Sequence, residues 1–204
     1  PVRQEFHQVS SKISRDGPLR LLVFGGSQGS SPMNQLVCEA LPFLSPRGEL
    51  KIVHQTGLTD YLSVKEKYQQ AGFEAEVIDF IQDMPAYFAR ADLILSRAGA
   101  SSLAEIAAAG RPSILIPLPH ATDDHQRMNA RALVQKGAAV SLEESETTGE
   151  ELARLLVEFA QNRDGLDQMA QASRDLAHPD SRTKIIELME ELISVSSQEY
   201  RDVC

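Results

Sequence analysis

At 204 residues the chain is long enough to bury one substantial core, and its 42% hydrophobic and 24% charged content is ordinary for a globular protein. A formal net charge of −9 excludes broad nucleic-acid binding and purely electrostatic docking on an anionic membrane, since both need a concentrated basic surface. No stretch has the apolar length of a membrane span, and two cysteines, Cys38 and Cys204, frame neither a disulfide set nor a zinc site, so a reducing cytoplasm fits.

The chain opens Pro1-Val2-Arg3-Gln4-Glu5, without Met or a signal peptide, and reads as a piece of a longer protein. Residues 1–18 are polar and irregular, like an incoming linker. Residues 19–26 (LRLLVFGG) are apolar on both faces, as a buried parallel strand should be. Ser31 as N-cap and Pro32 at N1 open a helix to about residue 44, followed by a strand at Leu50–Gln55. Thr59 is the expected cap of a helix ending at Ala71, with Gly72 just beyond it. A strand over 74–80 and a short helix over 85–91 precede a strand at Leu93–Ser96. A helix over 102–109, closed by Gly110, leads to a strand over 113–117. A helix over 124–136, stopped by Gly137, precedes the last strand, 138–142. Residues 143–151 form an acidic loop, read as a solvated face. Helices over Gly149–Gln161, 166–177 and 181–194 close the chain. Strands alternating with helices predict an α/β fold, a Rossmann-like, doubly wound parallel sheet of about six strands over 19–178, with a helix and tail over 179–204.

Ligands on such sheets bind at the carboxyl ends of the strands, so the loops there carry the chemistry. Gly25-Gly26-Ser27-Gln28-Gly29-Ser30 joins a strand to a helix, where glycines admit a ligand to the backbone and helix N–H groups suit a phosphate. It is not a Walker A loop, since no Lys follows, nor G-x-G-x-x-G, since Ser27 fills the middle glycine position. A phosphate or sugar site and a merely tight turn both fit it.

The second loop, from Ser96 and Arg97 through Gly99 to Ala104 and Glu105, is again rich in small residues. Ser101 and Ser102 could cap the helix or donate to phosphate oxygens. Glu105 reads either as the N3 acid of a capping box begun by Ser102, favoured by the helix dipole, or as a carboxylate gripping the two hydroxyls of a ribose. The third loop holds His120, Asp123, Asp124, His125 and Gln126. Neighbouring residues point apart, which argues against a metal, while the Gln126 amide suits sugar hydroxyls and Asp123 or Asp124 suits a helix cap. In Phe80-Ile81-Gln82-Asp83-Met84-Pro85 a pyrimidine ring could sit against the main chain, or Phe80 and Met84 could simply pack the core.

Together, VFGGSQGS, DFIQDMPAYFARADLILSRAGASSLAEIAAAGRPSILIPLP and DDHQRMNA resemble the donor-binding C-terminal domain of the MurG family over almost the whole chain. The resemblance implies one half of a GT-B glycosyltransferase, which moves N-acetylglucosamine from UDP-N-acetylglucosamine (UDP-GlcNAc) to lipid I, making lipid II for peptidoglycan. It places Ser27 beside the diphosphate or sugar, with Gly26, Gln28 and Gly29 around it, and brings Arg3 to the donor from the domain junction. It gives uracil to the main chain at Ile81, the phosphates and ribose to Gly99, Ala100, Ser101, Ser102, Leu103, Ala104 and Glu105, and the sugar hydroxyls to Gln126 beside His125. No metal and no cofactor is implied. The N-terminal acceptor domain, with lipid I, the catalytic base and the membrane-touching patch of a peripheral protein on the cytoplasmic face of the inner membrane, lies outside this sequence. The chain alone should therefore bind donor and transfer little. A stand-alone donor subunit with a separate acceptor-binding partner, and a UDP-GlcNAc 2-epimerase-like enzyme, share these features. A dehydrogenase does not suit the broken glycine fingerprint.

Overall fold

The computed structural model describes residues 2–46, 48–119 and 124–202. Six parallel strands, β1 (Leu19–Phe24), β2 (Leu50–Gln55), β3 (Glu76–Ile78), β4 (Leu93–Ser96), β5 (Ser113–Leu115) and β6 (Ala139–Ser141), form one sheet in the order β3-β2-β1-β4-β5-β6. The strand order reverses between β1 and β4, which pair directly, Phe24 opposite Ser96 at their carboxyl ends. That reversal is the topological switch point where such sheets take ligands.

Successive side chains of a strand point to opposite faces, so the apolar runs of β1, β4 and β5 feed two cores. Leu21, Val23, Leu93, Leu95 and Ile114 pack beneath α2 (Ser31–Ala40), α3 (Tyr61–Gln70) and α7 (Gly149–Gln161). Leu22, Phe24, Ile94 and Leu115 pack beneath α1 (Gln4–His7), α4 (Met84–Arg90), α5 (Ala100–Ala109) and α6 (His125–Gln135). The last helices are α8 (Arg163–Asp175) and α9 (Ser181–Asp202), and α9 exposes Ile185, Ile186, Met189, Leu192 and Ile193.

Several boundaries differ from expectation. The strands over 74–80, 113–117 and 138–142 are each shorter, because pairing ends where the chain turns into a loop. The N-cap of α2 is Ser30 rather than Ser31, and that of α3 is Asp60 rather than Thr59. Residues 1–18 are no loose linker. Phe6 is fully buried with its ring edge-on to Phe88 at 5.1 Å, and Val9 and Ile13 are buried too. Ser14 N donates to the Asp92 carboxylate at 2.9 Å, and Arg174 bonds the Val9 carbonyl. Val2, Phe6, Val9 and Ile13 recur at helical spacing, but only Gln4–His7 is helical, and nothing in an otherwise polar stretch marks it as docked.

The acidic loop is structured as well. Thr148 caps α7, accepting from Glu151 N at 3.2 Å, while the Glu151 carboxylate accepts from Thr148 N at 2.8 Å. This capping box should be worth about 1 kcal/mol. Thr148→Ala should lower urea-unfolding stability by that amount, and an unchanged urea midpoint would count against the cap.

Candidate functional site

The turns after β1 and β4 flank the switch point, and each runs straight into a helix. Three helices elsewhere receive a side-chain cap: α4 from Asp83, α7 from Thr148 and α8 from Asn162. Neither α2 nor α5 receives one. The Ser30 hydroxyl, placed to cap α2, instead accepts from Arg97 Nε at 3.1 Å and Nη2 at 2.6 Å. The N-cap of α5 is Gly99, which has no side chain to offer. The first-turn N–H groups of α2 (Pro32 supplies none) and of α5, at the positive ends of two helix dipoles, therefore flank the switch point with no side-chain cap among the described residues, an arrangement suited to an anion. The N-termini of α3 and α6 are uncapped too, and at α3 the Asp60 carboxylate accepts from Asn34 instead.

This arrangement corrects the capping-box reading of the second loop. Gly99 lies in the extended region (ψ 141°), so α5 begins at Ala100 and Ser102 is the third helical residue. No acid lies in its first turn, and Glu105 stands one turn further along. Glu105 is half-buried, and burial pushes its carboxyl above the usual range while the charge of Arg3 pulls it partway back. The docked N-terminal segment brings Arg3 there, its guanidinium 5.2 Å from the Phe6 ring centre.

In the glycine-rich turn Gly26 and Gly29 take φ of +98° and +78°, which side chains rarely adopt, and Ser27 and Gln28 are exposed. Gln55, at the end of β2 and 2% exposed, donates to Ser27 O at 3.4 Å and Asp79 O at 3.1 Å, tying this turn to the one after β3. In that second turn Phe80 is 52% exposed, which overturns its reading as core, while Met84 does pack against the core. The Ile81 side chain is buried, and its N–H and C=O take no part in the backbone hydrogen bonds among the described residues.

Arg97 is the buried residue of the candidate site that sequence reasoning missed. It is 7% exposed, and besides Ser30 its Nη1 reaches the Ile116 and Pro117 carbonyls at 3.2 and 3.3 Å, while Nη2 pairs with Glu144. One guanidinium thus joins the turns after β1, β5 and β6. Glu144 lies in the acidic stretch read as a solvated face, and its side chain is 20% exposed. A lone arginine in a run of small residues was the only signal.

Gln126, in the first turn of α6, accepts from Leu118 N at 3.0 Å, so its carbonyl oxygen is committed to holding the loop after β5. His125 lies beside it in α6. Asp124 is the N-cap of α6 but makes no side-chain cap bond. His120 and Asp123 lie outside the described residues. Among the described residues no three His, Cys, Asp or Glu side chains gather as a metal site, and no helix is long and apolar enough to cross a membrane.

A doubly wound parallel sheet with a glycine-rich turn and an uncapped helix at its switch point has the Rossmann-like architecture of a GT-B glycosyltransferase C-terminal domain. Residues 20–188 match the glycosyltransferase family 28 C-terminal domain, and the chain belongs to that family. It is 43% identical over 189 residues to the UDP-N-acetylglucosamine--N-acetylmuramyl-(pentapeptide) pyrophosphoryl-undecaprenol N-acetylglucosamine transferase of Azotobacter vinelandii, covering 92% of this chain and 53% of that one. The Myxococcus xanthus protein of the same name is 46% identical over 196 residues, covering 95% and 51%. The crystal structure of Acinetobacter baumannii MurG superimposes with a TM-score of 0.79 at 34% identity, over 94% of this chain and 53% of that one. The chain thus spans about half the length of these relatives.

Proposed function

We propose that this chain is the donor-binding half of a transferase that moves N-acetylglucosamine from UDP-GlcNAc to lipid I, forming lipid II in peptidoglycan synthesis. The observation that carries this reading is the pair of uncapped helix N-termini at the switch point, with Glu105 one turn along from one of them. The amides of α2 and α5 receive the diphosphate, aided by Ser27 and the backbone of Gly26, Gln28 and Gly29, with Ala100 to Ala104 wrapping the phosphates. Glu105 accepts from both ribose hydroxyls, and its raised proton affinity falls when it gains those two donors. Arg3 adds a cation on the same side. The main chain at Ile81 pairs with uracil, and Gln126 donates to the sugar, with His125 beside it.

The departing UDP gains negative charge, which the fixed amides and helix dipoles stabilise without rearranging. The acceptor, the catalytic base and the membrane contact belong to the half of the relatives that this chain does not span. On this reading the whole protein sits at the cytoplasmic membrane face.

Calorimetric titration of the chain with UDP, UDP-GlcNAc and ADP tests the reading. UDP species should bind and ADP should not, and Glu105→Ala should weaken UDP binding by about 1–3 kcal/mol, the worth of hydrogen bonds to a charged group. Equal binding of ADP would defeat the uracil assignment. Turnover of UDP-GlcNAc without acceptor would point to the epimerase instead.

A further inference from the structure

A line of buried side chains that the donor contacts do not use runs beneath the glycine-rich turn. Asn34, in the N-terminal part of α2, donates through Nδ2 to Thr56 O at 2.9 Å and to Asp60 Oδ2 at 2.8 Å. A carbonyl and a carboxylate only accept, so the amide orientation is settled and Asn34 Oδ1 faces His54 Nε2 at 3.0 Å. Since that oxygen also only accepts, His54 carries its proton on Nε2. His54 Nδ1 then presents a lone pair to the Tyr68 hydroxyl, which donates across 3.1 Å. Each group has one role, and the donors run in one direction from Tyr68 through His54 and Asn34 to the Thr56 carbonyl. Asn34, His54, Thr56 and Tyr68 are all buried, at 2% exposure or less, where a fully satisfied network is stiff.

That carbonyl is the one the glycine-rich turn rests on. A Cβ on Gly29 would stand 1.9 Å from Thr56 O, and one on Gly57 would stand 2.0 Å from Gln28 O. The backbones of 28–29 and 56–57 lie against each other with no room for a side chain, so whatever fixes Thr56 fixes the turn. Asn34 belongs to the helix that the same turn feeds, so its amide ties that helix to the Thr56 backbone on which the turn rests.

We propose that Asn34 and His54 are positioning residues that set the glycine-rich turn for a diphosphate without touching it, an inference that rests on the UDP-donor reading above. Amide donors must be held to within about half an ångström to serve an anion, and a loose turn loses that alignment. Uridine, whose base and ribose are assigned to Ile81 and Glu105, does not use the turn, so the network should matter for the diphosphate and not for the nucleoside.

The test compares UDP and uridine affinities, by calorimetry or ligand-observed NMR, for wild type, Asn34→Ala, His54→Phe and His54→Gln, with unfolding midpoints to establish that each variant is folded. Asn34→Ala and His54→Phe should bind UDP about tenfold more weakly while uridine affinity stays within about twofold. His54→Gln places an N–H donor where Nε2 stood and should recover most of the UDP affinity. Unchanged UDP binding in Asn34→Ala overturns the proposal, as does a parallel loss of uridine, which is what a merely structural role would produce. A wild-type chain that binds neither ligand overturns the donor reading itself, and this inference with it.

Discussion

Arg97→Met should destabilise the domain by about 2–4 kcal/mol, slightly under the usual cost of breaking a buried ion pair. The substitution leaves two carbonyls, the Ser30 hydroxyl and the Glu144 carboxylate without their shared donor. Glu144 retains a route to water, at 20% side-chain exposure, which is why the figure sits at the lower end. For a domain of this size the melting temperature should fall by roughly 4–16 °C. Arg97→Lys should recover only part of the loss, because an ammonium cannot span the acceptors that the planar fork reaches. UDP affinity should fall in Arg97→Met too, since the released Ser30 hydroxyl can turn back to cap α2 and compete with a phosphate for its amides. A stability change below 1 kcal/mol would show that the clamp carries no weight.

Acid should destabilise the protein through His54. Burial holds the folded imidazole down at about 3, opposed only in part by the charge of Asp60, whereas the unfolded side chain titrates near 6.5. Below pH 6.5 the unfolded chain takes up a proton that the native state refuses, so stability falls with falling pH at up to about 1.4 kcal/mol per unit. From pH 6.5 to 4.5 the loss should reach about 2–3 kcal/mol. Asp92, Glu151 and Asp180, whose carboxyls are held low by hydrogen-bonded partners, destabilise in the same direction, but only as pH falls into the carboxylate range. The slope between pH 6.5 and 5 should therefore be shallower in His54→Gln. Urea unfolding at a series of pH values measures it, and identical slopes would place the responsible proton elsewhere.

The sheet was legible because its central strands are buried on both faces and spell near-continuous apolar runs, as in LRLLVF and LILS. Strand ends and helix starts were less so. Whether α5 begins at Ala100 or Ser102 depends on the backbone angles of Gly99, and several residues in SRAGASS could serve as a cap. The candidate turns stood out because small residues between a strand and a helix have few other uses. The supports beneath them were not found, because Arg97–Glu144 spans 47 positions and Asn34–His54 spans 20, and nothing local marks either pair. Phe6, Val9 and Ile13 escaped notice for a related reason: each packs in a core built from residues distant in the sequence.

Because a single cation is shared by the segments following β1, β5 and β6, the floor of the candidate crevice is held together without any ligand. Entry then costs little ordering of the protein, which favours affinity. On the donor-binding reading the same stiffness acts on exit, since a diphosphate held by a rigid floor has to leave its anchors together rather than peel away one segment at a time.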